Sequence, residues 1–191
     1  MSTATVGRAR ARAGTNIALV KYWGKRDTEL NLPSAGSLSL TLAELGTETQ
    51  VTFVARTDAQ REDIVLLGGK SVDEKFRTRV SRFLDRVRSR AQLDATALVE
   101  TSNTVPTASG LASSASGFAA LAVAASHAAG LRLSDHELSQ LARLGSGSAA
   151  RSIFGGLALM SAGQAEDGHD AVATVSYTHL RAHETKANLV C

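Results

Sequence analysis

The succession of elements predicts an α+β fold, and three observations carry it. Residues 6–13 and 37–42 alternate with a period of two, as half-buried strands do. Phe76, Val80, Phe83, Leu84 and Val87 recur at helical spacing, forming one apolar face of an amphipathic helix. A stretch of small residues, 106–117, joins a β-like run at 97–101 to a long Ala-rich segment, 118–129, that reads as a further helix.

In chain order, the alternation Val-Gly-Arg-Ala-Arg-Ala-Arg-Ala at 6–13 suits a strand at a sheet edge. Ala13-Gly14-Thr15 reads as a turn into residues 16–27, a short apolar run that ends in Lys21, Lys25 and Arg26 around the single tryptophan, Trp23. Such a strand end can bring two ammonium groups and the Tyr22 phenol to one anion, since lysine serves phosphate as a point charge. A partly buried aromatic with solvated lysines is the plainer alternative. Leu30-Asn31-Leu32-Pro33 reads as a loop, and Ser37-Leu38-Ser39-Leu40-Thr41-Leu42 as a half-buried strand. Two more strands are expected at 49–55 and 64–67, with Gly68-Gly69 as a tight turn. The basic amphipathic helix and the strand at 97–101 follow. Ser134-Asp-His-Glu matches a capping box, so a helix starts there and runs toward Leu144. A last strand is expected at 156–160.

Net charge is +3, unevenly spread. Eight basic residues against three acidic ones between Lys70 and Arg90 give that segment +5, leaving about −2 elsewhere. The arginines lie off the apolar face of the helix and no aromatic side chains interleave with them to stack bases, so a solvated face is expected rather than a nucleic-acid surface. Cys191 is the only cysteine, which excludes a disulfide framework within one chain and fits a reducing compartment. The N-terminus lacks the apolar core of a secretory signal, and no run approaches the roughly 20 apolar residues of a membrane helix. These features point to the cytoplasm.

Two Gly/Ser runs carry the chemistry. Pro106 fixes one φ angle, while Gly110 and Gly117 allow turns and close backbone approach. A small-residue loop entering a helix presents unpaired N–H groups at the positive end of the helix dipole, which suits phosphate. No Gly-Lys-Ser/Thr follows, so it is not a Walker A loop; an ordinary capped helix start is the alternative. In the second run, Gly145 to Gly156, a turn into a helix would put Ser148 and Arg151 on one face. Arg151 could then clamp a carboxylate or phosphate with two parallel hydrogen bonds. A flexible connector with a surface arginine is the alternative. His179 and His183 sit at i, i+4 but lack a third ligand, so no metal site is read from them.

Several motifs occur in one order: Asn16-Ile17-Ala18 with Lys21-Tyr22-Trp23-Gly24-Lys25-Arg26-Asp27, Leu30-Asn31-Leu32-Pro33, Pro106-Thr107-Ala108 with Gly110-Leu111-Ala112-Ser113-Ser114-Ala115, Gly145-Ser146-Gly147-Ser148-Ala149 with Arg151-Ser152, and Ala165-Glu166-Asp167-Gly168-His169-Asp170. Together they resemble the diphosphomevalonate decarboxylases, in the superfamily of galactokinase, homoserine kinase, mevalonate kinase and phosphomevalonate kinase. The similarity spans about residues 6–174. It implies a mainly antiparallel sheet covered by helices: the ribosomal protein S5 domain 2-like N-terminal lobe of the GHMP kinase fold, at residues 1–175. A ferredoxin-like C-terminal lobe, with the catalytic aspartate, is missing. Residues 176–191 no longer resemble the family and read as an unrelated, artefactual tail.

The implied reaction uses ATP and Mg²⁺. The tertiary 3-hydroxyl of mevalonate 5-diphosphate is phosphorylated, then phosphate and CO₂ leave to give isopentenyl diphosphate. By resemblance, Pro106, Ala108, Ser109, Gly110, Leu111, Ala112, Ser113 and Ser114 form the nucleotide side. Tyr22, Lys25, Ser146, Gly147, Ser148 and Arg151 grip the substrate's diphosphate and carboxylate, Asn16 holds Arg151, and Lys21 sits near the reacting hydroxyl. Lys21, Asn16, Ser114 and Arg151 are thus the expected catalytic set. Two departures stand out: Ser34-Ala35-Gly36 replaces a more polar stretch, and Ala150 stands where cysteine is common. The chain alone is expected to be inactive, and the full-length protein to form a homodimer. Within the same fold, a mevalonate 3-kinase, a phosphomevalonate decarboxylase and a non-catalytic nucleotide-binding lobe are the alternatives. Lys25 and Arg151 suit a diphosphate tail.

Overall fold

Two long strands, β1 (Thr5–Val20) and β4 (Ser37–Ala55), pair antiparallel along most of their length and form the spine of the sheet. A computed structural model describes residues 4–21, 24–57, 61–104, 113–177 and 188–190. Between the spine strands, β2 (Lys25–Asp27) and β3 (Leu32–Pro33) make a small separate hairpin. Beyond β4 come β5 (Ile64–Leu67), β6 (Lys70–Ser71), α1 (Glu74–Ala91), β7 (Ala95–Asn103), α2 (Ser113–Ala128), α3 (Asp135–Gly145), α4 (Ala149–Ser152), β8 (Gly156–Met160), β9 (Ala173–Tyr177) and β10 (Asn188–Val190).

The sheet runs β10-β1-β4-β7-β5-β6, and β4 forks: its C-terminal half pairs with β7 and its N-terminal end with β8, which carries β9. Every ladder among the described residues is antiparallel except β5 with β7, whose parallel pairing needs the crossover that α1 supplies. Helices cover one face. On it, α2 is alanine-rich and apolar nearly all round, with Ala119, Ala120, Ala122, Ala124 and Ala125 fully buried; small side chains let it lie close on β1 and β4. Phe53, Val51, Leu84 and Val87 fill the space beneath it and beside α1.

The expected turn at Ala13-Gly14-Thr15 is absent: β1 continues to Val20, and the two strands expected at 37–42 and 49–55 are one strand, β4. Both absorb a shared irregularity, where the partner of Gly14 is Gly46 but that of Thr15 is Leu42. Glycine is needed for this crossing, because a Cβ on Gly46 would lie 2.2 Å from the Ala13 carbonyl oxygen and one on Gly14 would lie 2.6 Å from that of Leu42. The helix expected at 118–129 begins earlier, at Ser113, and the capping box is formed. The Ser134 hydroxyl accepts from the Glu137 N–H, and the Glu137 carboxylate accepts from the Ser134 N–H at 2.9 Å. The fully solvated arginine face is also corrected. Arg88 is buried and grips both oxygens of Asp63 at 3.0 and 2.9 Å, while Asp63 accepts the Ala97 N–H at 2.8 Å, which pins α1 to β7. Burial works against the Arg88 charge, but the bonds to Asp63 and Asp85 outweigh it and its pKa is raised.

Candidate functional site

The inward face of β4 changes character along its length. Val51 and Phe53 are apolar, Thr47 and Thr49 follow, and Thr41, Ser39 and Ser37 are buried hydroxyls at the N-terminal end. Strand periodicity ordinarily sends serine outward and leucine inward; here Leu38 and Leu40 face the other side, beside Leu159 and Ile17, which are 42% and 41% exposed. The hydroxyls are inside because a charge is. Arg151, on the one-turn helix α4, donates from Nε to Ser39 Oγ at 2.9 Å and from Nη1 to Ser37 Oγ at 2.5 Å. Its Nη2 reaches Asn16 Oδ1 at 3.5 Å, and Asn16 Nδ2 donates to Ser148 O at 2.9 Å and Ser152 Oγ at 2.7 Å. Asn16 therefore ties the end of β1 to both ends of α4.

Ahead of α4, α3 ends at Gly145 and the chain turns through Ser146, Gly147 and Ser148, whose two serine hydroxyls lie 3.2 Å apart. This turn lines a cleft of 880 Å³ together with Lys25, Asn31 and one side of α1. Lys25 Nζ donates to Asn31 Oδ1 at 2.5 Å, and Asn31 Nδ2 donates to the Leu144 carbonyl at 3.1 Å, so the β2–β3 hairpin is fastened to the end of α3. From α1, Lys75, Arg79, Arg82 and Arg86 line the same cleft. Arg79 donates to the Gly145 carbonyl at 2.7 Å and lies 4.6 Å over the Phe118 ring. Glu29 and Glu74 are the acidic residues in the lining, so the cleft carries an excess of positive charge.

Arg143 braces the region from behind. It is 2% exposed, and it donates to the carbonyls of Leu30 at 3.1 Å, Gly168 at 2.8 Å and Ala171. Burial lowers its pKa, as does the nearby charge of Arg26, while Asp170 and Asp167 act in the opposite sense. Gly168 has a φ of +69°, and a Cβ there would meet Leu32 at 2.2 Å and the Arg143 guanidinium at 2.8 Å.

Of the residues read from the sequence, Lys25, Ser146, Gly147 and Ser148 meet in the cleft, and Asn16 and Arg151 lie together beneath the turn. Lys21 is exposed just past β1, and Ser113 and Ser114 open α2, with Ser114 exposed. Tyr22, Pro106, Ala108, Ser109, Gly110, Leu111 and Ala112 lie outside the described residues. Behind the first turn of α2, Ser116 Oγ is 2.8 Å from Thr47 Oγ1 and 3.4 Å from Thr15 Oγ1, anchoring the helix to both spine strands. Sequence reading missed Ser37, Ser39, Arg79 and Arg143. A period of two identifies two faces without saying which is buried, and composition alone does not separate the basic residues of α1.

The fold and this cleft define an α+β lobe whose Gly145–Ser148 turn opens onto a cleft with an excess of positive charge. Residues 13–173 match the family described as the diphosphomevalonate decarboxylase-like N-terminal domain. The diphosphomevalonate decarboxylase of Saccharomyces cerevisiae is 41% identical over 179 residues, a match covering 88% of this chain and 45% of that protein. The mevalonate diphosphate decarboxylase of Staphylococcus aureus superposes with a TM-score of 0.84 at 46% identity, covering 91% of this chain and 51% of that one. A complex of MDDEF with MVAPP, AMPPCP and magnesium superposes with a TM-score of 0.81 at 50% identity, covering 90% and 51%. The chain belongs to the diphosphomevalonate decarboxylase-like N-terminal domain family. It spans about half the length of the curated relatives it matches.

Proposed function

We propose that this chain supplies the substrate and nucleotide-phosphate lobe for the ATP-dependent decarboxylation of mevalonate 5-diphosphate to isopentenyl diphosphate. The observation that carries the proposal is the cationic cleft in which Lys25 meets the Ser146–Ser148 turn, with Arg151 seated beneath it. Two hydroxyls, a turn and a lysine suit the terminal diphosphate, which Tyr22 would also contact. Arg151, oriented by Asn16 and two serines, is preorganised for the carboxylate. Lys21 would lie near the 3-hydroxyl.

Phosphorylation converts that hydroxyl into a good leaving group, so loss of CO₂ can drive electrons toward the departing phosphate. Transfer of this kind depends on positioning and charge neutralisation. Residues 106–114 would cradle the ATP phosphates at the start of α2. An apolar pocket of 120 Å³ lined by Val65, Val80, Val99, Phe118, Ser114 and Gly117 adjoins the start of α2. Among the described residues no group of three or more His, Cys, Asp or Glu side chains converges on a metal site. Mg²⁺ carried mainly by substrate phosphates needs no such cage, and when bound it neutralises the polyphosphate. We assign residues 1–175 to the family lobe, the family match ending at residue 173. We read residues 176–191 as a segment foreign to the family, although its first two residues complete β9 and β10 adds to the sheet edge beside β1.

Calorimetric titration of the chain with mevalonate, its 5-phosphate and its 5-diphosphate tests the reading. Affinity should rise with each phosphate, and Lys25→Met should weaken diphosphate binding about tenfold, the loss of one charge-assisted contact. Equal affinity for all three ligands would sink the proposal.

A further inference from the structure

The cationic residues of α1 divide by partner. Arg77 pairs with Glu62, Arg88 with Asp63 and Asp85, and Arg90 with Glu137. Lys75, Arg82 and Arg86 have no carboxylate partner among the described residues, and these three line the cleft with Arg79. Positions 75, 79, 82 and 86 follow steps of four, three and four, a single stripe about 16 Å long at 1.5 Å per residue. Like charges three or four residues apart on a helix cost about 0.2–0.5 kcal/mol per pair. Helix stability therefore does not explain the stripe.

Its direction does. Arg79 touches Gly145 at the C-terminal end of α3, whereas Arg90 pairs with Glu137 near the N-terminal end, so α1 and α3 run antiparallel. Going from Arg79 to Arg82 and Arg86 therefore leads away from the Gly145–Ser148 turn, by about 4 and 10 Å along the axis. A diphosphate held by the turn is too short to reach Arg86 as well. Both outer arginines are exposed, and neither makes a hydrogen bond to the turn.

We propose that Arg82 and Arg86 form an approach track for diphosphate esters: they draw the anion along α1 to the Lys25 and Ser146–Ser148 site without holding it once bound. This rests on the diphosphate site proposed above. Charge placed along an approach path raises association rates, while the dissociation rate reports contacts in the bound state.

The probe is inorganic pyrophosphate and the protein is the 191-residue chain, with dissociation rates from ³¹P line shapes and affinities from calorimetry. Arg82→Gln/Arg86→Gln should lower the association rate about tenfold at low ionic strength and leave the dissociation rate within about twofold. The difference should vanish in 1 M salt, where the Debye length is about 3 Å. Arg77→Gln/Arg90→Gln, which removes the same charge from arginines that are paired with carboxylates and do not line the cleft, should leave the association rate within about twofold. A slower association confined to the Arg82/Arg86 variant supports the track. An unchanged rate, an effect located in dissociation, or an equal effect in the Arg77/Arg90 variant overturns it while the diphosphate site stands. Absence of pyrophosphate binding by the unmodified chain overturns both.

Discussion

Replacing Arg143 with methionine tests how the cleft is held open. The side chain packs similarly, but the donors to the carbonyls of Leu30, Gly168 and Ala171 are lost. A hydrogen bond from a charged group is worth about 1.5–3 kcal/mol, and a buried guanidinium gives back several kcal/mol in desolvation, leaving a net loss of about 3 kcal/mol. At about 2–4 °C per kcal/mol for a chain of this size, the thermal midpoint should fall by about 6–12 °C. With an m-value of about 2 kcal/mol/M, the urea midpoint should fall by about 1.5 M. The functional consequence is separate. Leu30 belongs to the connection between β2 and β3, where Asn31 holds Lys25, and Arg143 lies two residues before the turn. Pyrophosphate affinity should therefore drop severalfold at a temperature where the variant is fully folded. Arg143→Lys should recover part of the stability, since an ammonium serves fewer of the three carbonyls at once. A thermal midpoint within 2 °C of the parent's, about 0.5–1 kcal/mol, would refute the bracing role. A large stability loss with unchanged pyrophosphate affinity would refute its link to the site.

Further outcomes can be measured on the same chain. Ser134→Ala removes the N-cap of α3 and should cost about 1 kcal/mol by urea unfolding. The Glu137 carboxyl is held below the usual carboxylate range by the Ser134 N–H, then by the Ser134 hydroxyl and Arg90. Its contribution is therefore complete above the unfolded value of about 4.3 and is lost as pH falls through the lower folded value, so the thermal midpoints of the parent and Glu137→Gln should converge in acid. Gly46→Ala forces a Cβ against the Ala13 carbonyl oxygen and should destabilise by about 3 kcal/mol, read as a lower urea midpoint. Leu159→Glu, on the partly exposed face of β8, should leave the thermal midpoint nearly unchanged and reduce self-association in sedimentation.

The α+β class, the capped start of α3 and the strand at 156–160 were legible because each rests on local chemistry, a period or a capping pair, whereas the gathering of Lys25 with Ser146–Ser148 followed only from the family resemblance. Other features depended on residues distant in sequence. Nothing local tells that Gly14 will face Gly46, so a glycine inside a strand reads as a turn. Nothing in Ser-Leu-Ser-Leu-Thr-Leu tells that a guanidinium 112 residues away will claim the serine side. The arginines of α1 share a composition, and only the tertiary positions of Glu62, Asp63 and Glu137 separate those that secure the helix from those that face the cleft.

The placement of hydroxyls inside and leucines outside has a cost for strand alignment. Sheet register is normally chosen by hydrophobic burial, since a slip of one residue turns the buried set out to water. In residues 37–42 that force is inverted: a one-residue slip would bury Leu38 and Leu40 and expel the serines that receive Arg151. The native alignment of this end must be imposed from elsewhere. The far end of the same strand can impose it, because Val51 and Phe53 are fully buried in the ordinary sense and the Gly14–Gly46 crossing admits no side chain. The apolar half of β4 thus acts as a clamp that fixes the alignment of the polar half. Native-state hydrogen exchange should find residues 47–55 opening only with global unfolding, and residues 37–41 opening at lower free energy.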